Sequence, residues 1–432
     1  MMLHMRFPTS LQLFLKTSAA FLMVASLFGQ AGPDGKAGDK TYHWVATWGA
    51  SPSPASPDAD QMRRRKMEFS DQTVREIVHI TLGGEQFRVR LSNAFGAQAL
   101  AISAAHLAIR DQGPAIAAGS DRALTFGGRP AVSIPPGALV LSDPVDLKAP
   151  ASADLAVSLY LAAGPTIAST LHYSAQQTSY LAAGNTCAAP QMPTDSTVSS
   201  WPFLTGVDVL TPNAGATVVT FGDSITDGSR STADTNRRWP NILANRLLAE
   251  RNNRLAVINA GIGGNRILHD GAGANGPQYG PSALARFERD VLAQPGVQYV
   301  IVLEGINDIG HPGGAAPMSE DVSAEDMIAG LRQLIERAHE RGLKIFGATI
   351  MPFTIMPLTA ATSPKEEKRQ AVNRWIRGRN DFDGVTDFDK TVRDPDQPIQ
   401  FLPAYDSGDH LHPNDAGHKA MGEAVDLSLF SR

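Results

Sequence analysis

Val218-Val219-Thr220-Phe221-Gly222-Asp223-Ser224-Ile225 decides the architecture of the C-terminal half. Residues 218–221 read as a short, largely apolar strand, the kind buried on both faces of a parallel sheet. The strand runs directly into Gly222-Asp223-Ser224, which sets a hydroxyl on the turn into the following helix. Working outward, the apolar spacing predicts a helix over 239–252, a strand over 255–259, a helix over 282–292 and a strand over 299–303. Ser323 with Asp326 forms a capping box, and Met327, Leu331, Leu334, Ile335 and Ala338 share one face of the helix behind it. Gly342 ends that helix, a strand follows over 345–350, and Ser363-Pro364 with Glu366 starts another helix. The last helix is expected over 413–429. Strands alternating with helices imply a mostly parallel sheet covered on both faces.

The N-terminal half follows a different pattern. Val78, Ile80 and Leu82 alternate with polar residues, as do Phe87, Val89 and Leu91, and Gly83-Gly84 lies between the two sets. The reading is an antiparallel hairpin. Leu155, Val157, Leu159 and Leu161 repeat the period, and Gly127-Gly128, Pro135-Pro136-Gly137 and Gly164-Pro165 supply turns. An all-β sandwich is therefore expected over 41–200, with carbohydrate binding as its candidate role. Prolines at 190, 193, 202 and 212 among Ser and Thr place the domain boundary within 186–215, with a second domain over 215–432.

Composition narrows the function. At 432 residues the chain exceeds the usual size of one core, and 43% hydrophobic with 19% charged residues is ordinary for a globular protein. A net charge of −5 argues against a nucleic-acid binder, and Arg63-Arg64-Arg65-Lys66, the densest basic run, reads as a solvated loop. Arg6 and Lys16 precede an apolar run from Ala19 to Phe28, and Gly29-Gln30-Ala31 follows with small residues. This pattern predicts a signal peptide over 1–31 and a secreted or periplasmic protein with no stable membrane insertion after cleavage. Cys187 is the single cysteine, which rules out an internal disulfide and a cysteine metal site.

Open parallel sheets carry their sites at the carboxyl ends of strands. The first strand ends in Ser224, the second in Asn259-Ala260-Gly261-Ile262-Gly263-Gly264-Asn265, and the third in Gly305-Ile306-Asn307-Asp308. Asp409-His410-Leu411-His412 precedes the final helix. A serine hydroxyl needs an adjacent base to become a nucleophile, and His412 is the candidate base. Asp409 would orient that ring. The backbone N–H groups of Ser224 and Gly264 and the amide of Asn307 would supply an oxyanion hole. His410 is a competing base. His418 reads as a surface residue of the final helix, and Asp223 and Asp308 as carboxylates that hold loops. Arg266, His269 and Asp270 are candidate pocket residues, as are Arg230 and Arg237-Arg238-Trp239. Asp387 and Asp389 do not make a calcium site, and no metal or cofactor is expected.

These four blocks, in this order, resemble those of the SGNH (GDSL) hydrolases over residues 216–432. Ile225 stands where the family name has leucine. The resemblance implies a three-layer α/β fold with Ser224, Asp409 and His412 as triad and Ser224, Gly264 and Asn307 as oxyanion donors. Gly261 and Gly263 are alternatives; Gly264 is preferred because the family places its glycine five residues after the asparagine of the block. Thr47-Trp48-Gly49-Ala50-Ser51 and Arg90-Leu91-Ser92-Asn93 resemble the β-domain of a bacterial subgroup of xylan-linked arylesterases and acylhydrolases. The implied activity is hydrolysis of carboxylic esters through an acyl-enzyme, on a small-molecule or polysaccharide substrate such as acetylated xylan. A lipid or lysophospholipid acylhydrolase is the alternative within the same chemistry. A non-catalytic polysaccharide-binding protein is the alternative outside it. The oligomeric state is left open.

Overall fold

Six strands organise the N-terminal half: β1 (Tyr42–Gly49), β2 (Gln72–His79), β3 (Gly84–Ser92), β4 (Asp154–Leu161), β5 (Thr170–His172) and β6 (Leu204–Pro212). The computed structural model describes residues 42–212, 215–250, 254–353, 363–378 and 381–431. The expected signal peptide at 1–31 lies outside these residues. One antiparallel sheet runs β1–β6–β3, with Leu139–Leu141 and Val145–Ala149 added to β3. A second is built on the antiparallel pair β2–β4. Val74, Val78, Phe87, Val89, Leu155, Val157 and Leu159 fill the core between them, each fully buried.

The expected hairpin over 78–91 does not form, because β2 and β3 belong to different sheets. Alternation reports which face of a strand is buried, and two sheets facing one core satisfy it as well as two paired strands do. Gly83 marks the crossing. A Cβ there would overlap the backbone of Pro150 and Ala151, so the glycine permits a close passage and not a tight turn.

The second half contains β7 (Ala216–Gly222), β8 (Leu255–Gly261), β9 (Val297–Leu303), β10 (Lys344–Ala348) and β11 (Gly384–Thr386), all parallel in the order β8–β7–β9–β10–β11. Six of its helices are α1 (Ser224–Asp227), α2 (Trp239–Ala249), α3 (Ile306–Gly310), α4 (Ala324–His339), α5 (Pro364–Arg377) and α6 (Asp415–Ala424). The pair α2–α6 and the pair α4–α5 cover the sheet. The α4 capping box joins Ser323 and Asp326 as expected, and its five apolar positions are buried. The final helix is shorter than 413–429, because Asn414 caps it through the Gly417 N–H and Asp426 starts a separate 3₁₀ turn. The 282–292 helix changes to π geometry at Glu288.

The two halves share a seam within one compact unit, Thr41–Arg432. Thr217 donates its hydroxyl to the Ala46 carbonyl at 3.1 Å, and Thr81 donates to the Val257 carbonyl at 3.1 Å. Strands run through much of 186–215, including Ser196–Val198, Trp201–Pro202 and all of β6. Among the described residues, no helix is long and apolar enough to cross a membrane.

Candidate active site

β7, flanked by β8 and β9 in the parallel sheet, ends at Gly222, and Asp223 turns the chain by accepting the Ile225 N–H at 2.9 Å. Ser224 therefore opens α1. At a first helical position the N–H has no intrahelical acceptor. On the neighbouring strand, Gly261 lets β8 pass beneath α1, where a Cβ would overlap the Asp227 backbone. The Gly261 N–H is committed to Asn259 Oδ1 at 2.9 Å. Gly263 and Gly264 reach the cleft instead, and the Gly264 N–H bonds to no described residue. Gly264 has φ +80°, and a Cβ on it would overlap the Tyr279 ring, so two constraints require glycine there.

β9 leads through Gly305 (φ +115°) into α3, which presents Asn307 to the cleft. Asn307 Nδ2 donates to the Asn265 carbonyl at 2.9 Å, leaving its second N–H free. Asp308 accepts the Ile267 and Leu268 N–H groups at 2.8 and 3.2 Å, tying the β8 and β9 loops together. Burial, partly offset by those N–H groups, raises its carboxyl to about 6. Asp223 is raised to about 7, by burial first and by the nearby Asp308 charge.

The loop before α6 completes the arrangement. Asp409 Oδ1 accepts the Leu411 and His412 N–H groups, and Oδ2 faces His412 Nδ1 at 2.8 Å. Burial pushes the Asp409 carboxyl up, but the His412 N–H and ring outweigh it and hold the group well below the usual range. A carboxylate can only accept, so Nδ1 carries the proton and Nε2 offers a lone pair. Nε2 lies 2.9 Å from Ser224 Oγ. His410 turns away with φ +57° to pair with Asp406. Ser224, Gly264, Asn307 and His412 line one cleft of about 280 Å³, with Asp409 directly behind His412.

Other expected positions lie elsewhere. Arg266 is buried and paired with Glu320 at 2.7 Å, and neither it nor His269 lines the cleft. Arg230 reaches Asp409 Oδ2 at 2.9 Å from the solvent side. Asp270 accepts the Ser282 N–H, Arg237 pairs with Asp415, Arg238 bonds the Ala175 carbonyl, and Trp239 is core. His418 is fully buried, a correction of the surface reading; it faces the Ser229 carbonyl, and burial lowers it to about 4. Its helix packs against α2. Asp387 and Asp389 face Arg377, and Asp389 also faces Arg369 and Arg393. Ion pairing accounts for both carboxylates.

Two groups escaped the sequence reading. Arg286, fully buried, donates to the carbonyls of Gly222 and Ala260, to Asn265 Oδ1 and to Glu304, so one guanidinium gathers the ends of β7 and β8. It sits in a predicted helix with no motif around it. The second group is the cleft wall of Ser53, His172, Tyr173 and Ser174, contributed by the antiparallel half. His172 Nδ1 faces the Ser51 carbonyl and Nε2 faces Asp227 Oδ1, both at 2.9 Å. Two acceptors facing the two ring nitrogens favour a proton on each. Burial pulls its pKa down, but the Asp227 charge and hydrogen bond outweigh burial and raise it.

Residues 220–420 match the model of the GDSL-like lipase/acylhydrolase family. Those residues form a GDSL-like acylhydrolase domain, and the protein is an ester-hydrolysing enzyme. Solved structures with similarity include Axe2, an acetylxylan esterase from Geobacillus stearothermophilus, at 22% identity over 50% of this chain and 96% of that one, with a TM-score of 0.39. A GDSL-like lipase from Bacteroides thetaiotaomicron is 19% identical over 49% of this chain and 87% of its own, with a TM-score of 0.35. LAE5, an α/β hydrolase from the metagenome of Lake Arreo, is 23% identical over 49% and 93%, with a TM-score of 0.37. No curated protein matches the chain.

Proposed function

We propose that the chain is an exported serine esterase that removes short acyl groups, acetyl above all, from polysaccharides such as xylan. The observation that carries the catalytic part is the line Ser224 Oγ–His412 Nε2–Asp409, with separations of 2.9 and 2.8 Å, beside three candidate oxyanion donors. Ser224 Oγ attacks the ester carbonyl carbon as His412 Nε2 takes its proton, and Asp409 stabilises the imidazolium. The carbonyl electron pair moves onto oxygen, which the N–H groups of Ser224 and Gly264 and the Asn307 amide stabilise. Collapse breaks the bond to the alcohol, which leaves with the proton from His412. Water then repeats the sequence on the acyl-enzyme, releasing the acid and restoring Ser224.

The short-acyl assignment is supported by the walls. Among the described lining residues only Ile262 and Leu411 carry aliphatic side chains, so a long acyl chain finds little apolar surface. That favours a polysaccharide over a lipid or lysophospholipid. Export rests on the N-terminal pattern, and the antiparallel half is proposed to shape the site and contact the polymer. A family-typical triad weighs against a purely binding function.

Rates on p-nitrophenyl acetate and palmitate, and acetate release from acetylated xylan, test the reading in wild type and Ser224→Ala. The wild type is expected to hydrolyse acetate and xylan esters, and Ser224→Ala neither. Equal acetate hydrolysis by both proteins would remove the catalytic assignment, and equal rates on both chain lengths would remove the short-acyl preference.

A further inference from the structure

Beyond Asn307 the cleft wall continues one helical turn along α3. The His311 N–H bonds the Asn307 carbonyl at 3.0 Å, which puts both side chains on one face, and both line the cleft. Among the described residues neither ring nitrogen of His311 has a hydrogen-bond partner. The Tyr279 ring lies 5.2 Å from the His311 ring at 41°, packs on the Cα face of Gly264, and has a hydroxyl without a partner among the described residues. Gln278, also in the wall, accepts Arg65 Nη2 at 3.2 Å through Oε1, which leaves its amide nitrogen as a donor. This wall therefore holds two ring systems and three uncommitted neutral polar groups.

The neighbouring cations are already engaged. Lys365 donates to the carbonyls of Gly310 and Pro312, and Arg266 pairs with Glu320. Arg65, the other cation beside the wall, donates to Gln278 Oε1 and lies 5.2 Å from the centre of the Tyr173 ring, so these three cations are engaged among the described residues. Burial, with the fields of Arg266 and Lys365, lowers His311 to about 4, so the ring is neutral at neutral pH and presents one donor and one acceptor. An aliphatic group placed against this wall would strand its polar atoms without partners, whereas a ring bearing hydroxyls can donate to and accept from each.

We propose that His311, Tyr279 and Gln278 form a subsite for a neutral, hydroxylated sugar ring, with His311 as its specificity-determining residue. The proposal rests on the esterase reading above and names the group that the cleft recognises beside the reacting ester. The discrimination follows from hydrogen-bonding groups that a substrate lacking hydroxyls leaves unpaired.

The test compares methyl 2-O-acetyl-β-xylopyranoside with cyclohexyl acetate, two acetates of six-membered-ring secondary alcohols that differ in hydroxyls and ring oxygen. Wild type is expected to favour the sugar ester by tenfold or more in kcat/KM. His311→Phe keeps a ring and removes both nitrogens; it should lower that ratio about tenfold, chiefly through KM for the sugar ester. His311→Gln, which restores a donor and an acceptor, should recover part of the loss. Equal kcat/KM for the two esters in wild type would overturn the subsite, as would a parallel loss on both esters in His311→Phe. Hydrolysis of neither ester, nor of p-nitrophenyl acetate, would instead overturn the esterase reading on which the subsite stands.

Discussion

In the parallel half, Ser224, Gly264 and Asn307 each follow the end of a strand, so regular sheet geometry brings them to one rim. In the antiparallel half, Ser53, His172, Tyr173 and Ser174 come from two short segments, Ser53–Pro54 and β5 with the residues after it, that pair with each other. The first half repeats one geometric rule three times. The second contributes a wall whose position depends on tertiary contacts, above all the His172–Asp227 pair across the seam. The difference separates two jobs. In the proposed mechanism, groups at the strand ends act on the reacting carbonyl, and His172 from the antiparallel half holds the helix that begins at Ser224 through Asp227.

That division is open to direct attack. Asn307→Ala removes one oxyanion donor from the parallel half and should lower kcat about a hundred- to thousand-fold with little change in KM, measured by steady-state kinetics on p-nitrophenyl acetate. A mainly KM effect would place Asn307 in binding and erase the contrast. His172→Phe attacks the other side. It leaves Asp227 buried without its partner and should lower unfolding free energy by roughly 3 kcal/mol in denaturant titration. Retained stability in His172→Phe would show that the seam does not depend on this pair.

The smallest expected effect lies deep in the antiparallel half. Glu76 is fully buried beside Val157 and shares the face of Val74 and Val78, and neither carboxyl oxygen has a described partner. Burial raises its pKa well above the ordinary glutamic acid value. A raised carboxyl pKa means that the folded state holds the proton more tightly. Its stabilising contribution is complete below the unfolded value and is lost as pH rises through the folded value. Glu76→Leu should therefore raise Tm at pH 8 by about 2 °C or more and flatten the fall of Tm with pH, followed by calorimetry. An unchanged pH slope would mean that Glu76 is not the titrating group.

The same contrast explains what could be read from the chain. Strand–helix alternation and the residues at strand ends are local patterns, so the parallel sheet, Ser224, Gly264, Asn307 and the Asp409–His412 loop were all legible. Capping at Ser323 and Ser363 was legible too, because a cap is a contact between neighbours in sequence. The 78–91 segment shows where this stops, since period-2 alternation is the same for paired strands and for strands in facing sheets. Arg266 and His418 show a second limit. A charged residue after a glycine block, or a histidine on a short helix, carries no local mark of the Glu320 carboxylate or Ser229 carbonyl that covers it. His172 shows a third. It is 52 residues before Ser224 in a segment with no motif, and only the folded seam sets it against Asp227.

The proposed mechanism requires His412 to activate the hydroxyl of Ser224. Labelling with a fluorophosphonate, followed by peptide mass spectrometry, tests it most directly. The expected result is one phosphonyl group per chain, on the peptide containing Ser224, with labelling slowed by orders of magnitude in His412→Ala. A label on another residue, or equal labelling rates in wild type and His412→Ala, would contradict it.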